Sequence, residues 1–237
     1  MAKQGTSAAL GIHIPLIKLY TTNWPTAPNP LILPPVSRSG ILLLVSGPSG
    51  SGKTTLCRRL ADEKEAHYSI SCTTRAPREG EVDGRDYHFL DRADFTARID
   101  SGDFLEHAEV HGNHYGTLKS EVLDYISKGI DVVMDIDVQG AILVRACEDS
   151  EIQKALIDLF VMPPSEEELR ARLTGRGTDA DDVIALRMKN ALDEMQHWPS
   201  YTYRLISSTR EEDYLNFKSL VLAERLKISR LTKCTSS

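Results

Sequence analysis

The chain has 237 residues, of which 41% are hydrophobic and 26% charged, with a net charge of −6. That is enough for one large domain or two small ones without disulfide or metal staples, and a charged fraction near the globular average excludes wholesale disorder and a long coiled coil. No apolar run approaches the roughly 18 residues of a membrane span, and the acidic balance argues against a broad nucleic-acid-binding face.

Residues 1–40 stand apart. They hold six of the eleven prolines (Pro15, Pro25, Pro28, Pro30, Pro34, Pro35) and no acidic residue. Neither helical nor strand periodicity survives that spacing, so a flexible or loosely packed extension is expected there. The segment lacks the compact apolar stretch and small-residue cleavage site of a secretory signal. It shares an absence of Asp and Glu with organelle transit peptides, but Lys3, Lys18 and Arg38 fall short of their arginine content. The four cysteines (Cys57, Cys72, Cys147, Cys234) are scattered, without a C-x-x-C pair. Neither a zinc site nor a disulfide framework is expected, and a reducing cytoplasm is the default compartment.

From residue 41 short apolar strands alternate with helical stretches. Strands are expected at Ile41–Ser46, Ile130–Asp135, Ile157–Met162 and Tyr203–Ile206. Helices are expected at Lys53–Ala61, Leu118–Ser127, Val138–Ala146, Ser165–Leu173, Asp181–Gln196 and Glu211–Ile228. An uninterrupted Ile-Leu-Leu-Leu-Val strand is buried on both faces, as in a parallel sheet covered by helices, so the fold class is α/β. Ser165-Glu-Glu-Glu168 after Pro163-Pro164 reads as a capping box opening a helix. Residues 69–117 break the alternation with Gly, Arg, Asp, His and Tyr, as an inserted recognition segment would.

Gly47-Pro48-Ser49-Gly50-Ser51-Gly52-Lys53-Thr54 fits G-x-x-x-x-G-K-[ST] between a predicted strand and a predicted helix. Its glycines let successive backbone N–H groups curl around a phosphate, and the helix that follows adds its positive N-terminal end. Lys53 reaches β/γ oxygens in such a loop, and the Thr54 hydroxyl is placed to hold Mg²⁺. A Gly/Ser turn with an incidental lysine would not need that strand-then-helix setting. The strand ending at Asp135 supplies a carboxylate where the metal of a P-loop NTPase-like core sits.

Farther along come Ser71-Cys-Thr-Thr-Arg75-Ala-Pro-Arg78-Glu-Gly-Glu, Phe104-Leu-Glu106, Gly112-Asn-His-Tyr115-Gly116-Thr117, Asp135-Ile-Asp137-Val-Gln-Gly140 and Gly175-Arg176-Gly177. With the phosphate loop, these motifs closely resemble the guanylate kinase family, in that family's order, over roughly residues 40–228. The resemblance implies ATP-dependent phosphorylation of GMP, and of dGMP, in purine nucleotide metabolism, with Mg²⁺. It divides the chain into a core (41–68, 130–164, 203–228), a GMP-binding insertion (69–129), a mobile helical lid (165–202) and a tail (229–237).

Chemistry supports the same assignment. Arg75 and Arg78, three apart around Pro77, suit a monophosphate dianion, and Tyr87 and Tyr115 each carry a phenolic hydroxyl for it. The resemblance gives the guanine-reading role to Glu106, with Ser71, Thr117 and Asp137 as polar neighbours. A carboxylate accepts from N1–H and the N2 amine of guanine together. Arg172, Arg176 and Arg187 form the lid set expected to stabilise charge on the transferring phosphoryl, with Lys53 as the fourth catalytic cation. Taken alone, Arg172 and Arg176 would read as a solvated helix face. His107, His111 and His114 lack further matched ligands and are expected at the surface.

One departure stands out. Many relatives carry Val-Asn-Asp after the last strand, the asparagine being credited with an adenine contact, where this chain has Ile206-Ser207-Ser208. Backbone groups or Ser207 are the expected substitutes. The alternative is a non-catalytic guanylate-kinase-like phosphopeptide-binding module. Lys53, Thr54, Asp135 and the lid arginines speak against it, since such modules tend to lose the ATP machinery.

Overall fold

The computed structural model describes residues 36–174 and 181–233. The chain begins with β1 (Val36–Arg38), β2 (Leu42–Ser46), α1 (Lys53–Asp62) and β3 (His67–Tyr68). A recognition segment follows: β4 (Cys72–Thr73), β5 (His88–Phe89), α2 (Arg92–Asp100), β6 (Phe104–Val110) and β7 (Asn113–Leu118). Then come α3 (Lys119–Ile126), β8 (Val132–Asp135), α4 (Val138–Arg145), α5 (Ser150–Ala155) and β9 (Leu156–Met162). A helix pair, α6 (Glu166–Thr174) and α7 (Asp181–Met195), precedes β10 (Tyr203–Ile206), α8 (Arg210–Arg225) and β11 (Leu231–Lys233). The four expected strands and six expected helices are all present, each displaced by at most three residues at an end.

Among the described residues the core is a five-stranded sheet in the order β10-β9-β2-β8-β3, parallel throughout. Successive side chains of a strand point to opposite faces, and β2 shows what that demands of sequence. Leu43 and Val45 pack with Leu56 and Leu60 of α1 and with Phe217 and Val221 of α8. Leu42 and Leu44 pack with Val122 and Ile126 of α3, Ala141 and Val144 of α4, and Ile152 of α5. Both faces are therefore greasy, and the strand reads as an unbroken apolar run.

Three boundaries differ from the sequence expectation. The described fold takes in residues 36–38 of the expected extension, because β1 pairs antiparallel with β11 (Arg38 opposite Leu231) and Arg38 joins a buried ion cluster. In that cluster Asp131 accepts from Arg38 Nη1 at 2.5 Å, from the N–H of Ile41 at 2.9 Å and from Arg225 Nε at 2.7 Å. Residues 229–233 are thus part of the fold. The rest of the expected extension, residues 1–35, lies outside the described residues. The inserted unit is also shorter than 69–129. Its sheet, β5-β4-β7-β6, spans Cys72 to Leu118 around a small core of Cys72, Phe95 and Phe104, whereas α3 packs on the main sheet. Finally, α6 and α7 share their own core of Leu169, Leu173, Met188 and Ala191. Arg176 lies between them, outside the described residues.

Two helices escaped the periodicity. Only Phe95 of α2 is buried, so no apolar stripe marks it, and Asp91 caps it by accepting from the Asp94 N–H at 2.8 Å. The six-residue α5 is fixed by Asp149, which accepts from the N–H groups of Glu151 and Ile152. Among the described residues no helix is long and apolar enough to cross a membrane.

Candidate active site

The phosphate loop and Asp135 lie at the carboxyl ends of the parallel strands, where ligands of open α/β sheets bind. The turn from β2 into α1 is the phosphate loop. Gly47 holds φ at +146°, and a Cβ there would lie 2.2 Å from the carbonyl oxygen of Val161 on the adjacent strand, so no other residue fits. Gly52 takes φ +101° to start α1, with open space where a Cβ would stand. The Ser51 N–H donates to the Pro48 carbonyl at 3.1 Å. The Ser51 hydroxyl is buried with no partner among the described residues. Native structures rarely leave a buried hydroxyl unpaired unless something else is meant to meet it.

Register brings the second element in. Val45 of β2 stands opposite Asp135 of β8, so the strand-end carboxylate arrives beside the loop. Thr54, in the first turn of α1, donates its hydroxyl to Asp135 Oδ2. Hydroxyl and carboxylate are hard oxygen donors, too few to enclose an ion, and that fits a cation that keeps several waters and is completed by phosphate oxygens. Among the described residues no group of three or more His, Cys, Asp or Glu is arranged to hold a metal.

Cations close over the loop from the helix pair. Arg172 of α6 donates Nε to Glu168 Oε1 at 2.9 Å and Nη1 to the Ser207 hydroxyl at 2.9 Å. Arg187 of α7 donates Nη2 to the Ser49 hydroxyl at 3.2 Å. Lys53 makes no hydrogen bond to a described residue; its charge is felt by Glu194 of α7. Half of the expected capping box is present: Ser165 accepts from the Glu168 N–H at 3.2 Å. The Glu168 carboxylate turns instead to Arg172. Loop residues 50–54, Arg172, Ser208 and Arg210 border a cavity of about 480 Å³.

The second cluster lies on one face of the inserted sheet. On β7, Tyr115 and Thr117 are two apart and share a face; Glu106 of β6 stands opposite Thr117. Gly116 between them cannot carry a side chain, since its Cβ would meet the Glu106 carbonyl at 2.7 Å. The hydroxyls of Ser71 and Thr117 are 3.1 Å apart. Burial pushes the Glu106 carboxyl above its ordinary pKa and the nearby charge of Asp137 adds to that, while hydrogen bonds from the Thr117 hydroxyl and N–H pull it down. Asp137 caps α4, accepting from the Gly140 N–H at 2.7 Å.

Arg75 is held on several sides. Its Nη2 donates to Glu81 at 2.9 Å, its Nη1 to the Ala76 carbonyl at 2.8 Å, and its guanidinium lies 5.5 Å from the Tyr87 ring and bonds the Tyr115 hydroxyl. Tyr87 and Tyr115 meet edge to face at 6.1 Å. The structure does not clamp Arg78 in the same way. Its backbone N–H donates to Glu81 at 2.7 Å, and no hydrogen bond among the described residues holds its guanidinium. Glu194 of α7 is raised in pKa by burial and by the charge of Asp137, against the lowering effect of Lys53.

The sequence model of the guanylate kinase family matches residues 39–224. The chain belongs to the guanylate kinase family. It is 44% identical over 199 residues to the guanylate kinase of Paramagnetospirillum magneticum, covering 84% of this chain and 91% of that one. It is 46% identical over 192 residues to the guanylate kinase of Alkalilimnicola ehrlichii, covering 81% and 92%. The crystal structure of guanylate kinase from Anaplasma phagocytophilum aligns with a TM-score of 0.65 at 32% identity, over 83% of this chain and 92% of that one.

Ser207, expected as a substitute for the missing asparagine, is 1% exposed, and its hydroxyl accepts from Arg172. Two further residues were missed. Glu81, inside a segment quoted for its arginines, orients Arg75 and also takes the Arg78 N–H. Glu168, four residues before Arg172, carried an i,i+4 signal that could have found it.

Proposed function

We propose that this protein transfers the γ-phosphoryl group of ATP to GMP or dGMP, giving ADP and GDP or dGDP, with Mg²⁺ bound to the donor. The observation that carries the reading is that this guanylate kinase family member holds two sets of anion-suited residues: the loop 47–54 with Lys53, Arg172 and Arg187, and Arg75 with Tyr87 and Tyr115, the latter on the same inserted sheet as Glu106.

GMP docks by both ends. Its phosphate takes the Arg75 guanidinium, already oriented by Glu81, together with Arg78 and the two tyrosine hydroxyls. Its base gives N1–H and the N2 amine to Glu106, with Thr117, Ser71 and Asp137 alongside. Adenine presents an acceptor at N1 and would leave the half-buried carboxylate facing a lone pair, which costs more than a lost surface contact. GMP and dGMP share the phosphate and base that these residues address.

The attacking oxygen of GMP is already anionic, so no general base is needed. Lys53, Arg172 and Arg187 hold the donor phosphates and offset charge on the transferring group, with Arg176, which lies between α6 and α7 in sequence, assigned to the set by the family resemblance. Thr54 and Asp135 would hold Mg²⁺, which when bound neutralises charge on the β- and γ-phosphates. Closing the helix pair over the loop keeps water from the phosphoryl group. A cytoplasmic setting agrees with the free thiols of Cys57, Cys72 and Cys147.

The test is a coupled assay with ATP and each of GMP, AMP, CMP and UMP. Turnover confined to GMP and dGMP is expected. Equal use of another monophosphate would reassign the acceptor, and absence of all transfer alongside phosphopeptide binding would make the chain a binding module.

A further inference from the structure

The two base sites assigned under the proposed function are built differently. At the acceptor end a shielded carboxylate sits among hydroxyls. At the donor end the cavity beyond the phosphate loop is finished by Ser208, Arg210 and Asp213. The N–H and hydroxyl groups of the adjoining turn are already engaged. The Ser207 N–H donates to the Met162 carbonyl at 2.8 Å, and its buried hydroxyl accepts from Arg172. The Ser208 N–H donates to Asp213 Oδ1 at 2.7 Å, and its hydroxyl is shared between Glu212 at 2.9 Å and Asp213 at 3.2 Å. The Thr209 hydroxyl bonds Glu212 while capping α8.

Among side chains, what remains for a base is the Arg210 guanidinium, the face of Arg172 and the second carboxylate oxygen of Asp213, beside the backbone carbonyls of the turn. Arg210 and Ser208 are solvent-exposed, and Asp213 is half-buried. A pocket rejects a wrong base strongly only where that base leaves buried polar groups unpaired. No fully buried side chain is left here to impose that penalty. A guanidinium stacks on any base, and its donors suit the N7 edge of adenine and of guanine alike.

We propose that the donor site reads the triphosphate and not the base, so that GTP and ITP serve as phosphoryl donors alongside ATP while the acceptor site stays confined to guanine. This rests on the reading of the loop side as the donor site. The bond from the γ-phosphorus to the β–γ bridging oxygen breaks, and one from that phosphorus to a GMP phosphate oxygen forms. GTP plus GMP then gives two GDP, and ITP plus GMP gives IDP and GDP.

The experiment follows conversion of radiolabelled GMP to GDP by the full chain, with Mg²⁺ and ATP, GTP or ITP as sole donor. ITP lacks the exocyclic amine and so controls for GTP occupying the acceptor pocket. Values of kcat/KM for ITP and GTP within about thirtyfold of ATP, the range of weak discrimination, support the inference. An ATP preference beyond that overturns it and leaves the assigned reaction standing. Failure of every donor overturns both.

Discussion

Arg172 is pinned between Glu168 on its own helix and the buried hydroxyl of Ser207 at the end of β10, each at 2.9 Å. Ser207→Ala removes the inner pin and leaves an i,i+4 pair, which alone holds an arginine weakly. We expect kcat to fall roughly tenfold through lost alignment, with stability changed by about 1 kcal/mol. KM for both nucleotides stays near its starting value. Steady-state kinetics beside a thermal melt reads all of these, and an unchanged kcat would separate Arg172 from the reacting phosphoryl.

Lys53→Ala should lower kcat by a factor on the order of 10² to 10³, the usual effect of deleting one charge-stabilising donor. Its amine makes no hydrogen bond within the described fold, so the melting temperature should stay put. Normal turnover by the variant would remove Lys53 from the mechanism.

Glu106→Ala is expected to cut kcat/KM for GMP by about a hundredfold or more, because guanine's two donors lose their acceptor. KM for ATP should not move. Equal damage to both substrates would mean that Glu106 supports the cleft as a whole.

The same carboxylate makes a pH signature. It accepts from guanine only when ionised, and burial holds its pKa above the ordinary 4.5. As pH falls, GMP use should weaken in the wild type sooner than an exposed glutamate would allow. The GMP phosphate also titrates near pH ~6, so the ratio of wild-type to Glu106→Gln KM isolates the residue. Stability runs the other way. A carboxyl whose folded pKa is raised costs stability at neutral pH, and that cost fades as pH drops through the folded value. Glu106→Gln should therefore melt higher than wild type at pH 7 and lose this advantage in acid.

Asp131→Asn tests the opposite end of the strands. Asp131 is buried and receives Arg38, Arg225 and the Ile41 N–H. Removing its charge strands two arginines, and unfolding free energy should drop by about 3 kcal/mol. Turnover at a temperature where the variant stays folded should equal wild type.

Much of this fold is legible along the chain because its core strands are apolar on both faces and its phosphate loop is contiguous. Eight consecutive residues state that chemistry. The recognition sheet is harder, since β4 and β5 are two residues long and no periodicity fits in two residues. Glu106 alone is an ordinary glutamate; only its place before the Gly-Asn-His-Tyr-Gly-Thr segment marks it. Ser207 and Glu81 are illegible for a different reason. Their work is to hold an arginine already singled out, and the Ser207 pairing spans 35 residues of sequence.

The Asp131 knot and the phosphate loop sit at opposite poles of the same strands. Selection can then tune them on separate schedules. Substitutions that toughen the molecule against heat have a home near the amino ends, far from any nucleotide, and the machinery of transfer need not slow down to accommodate them.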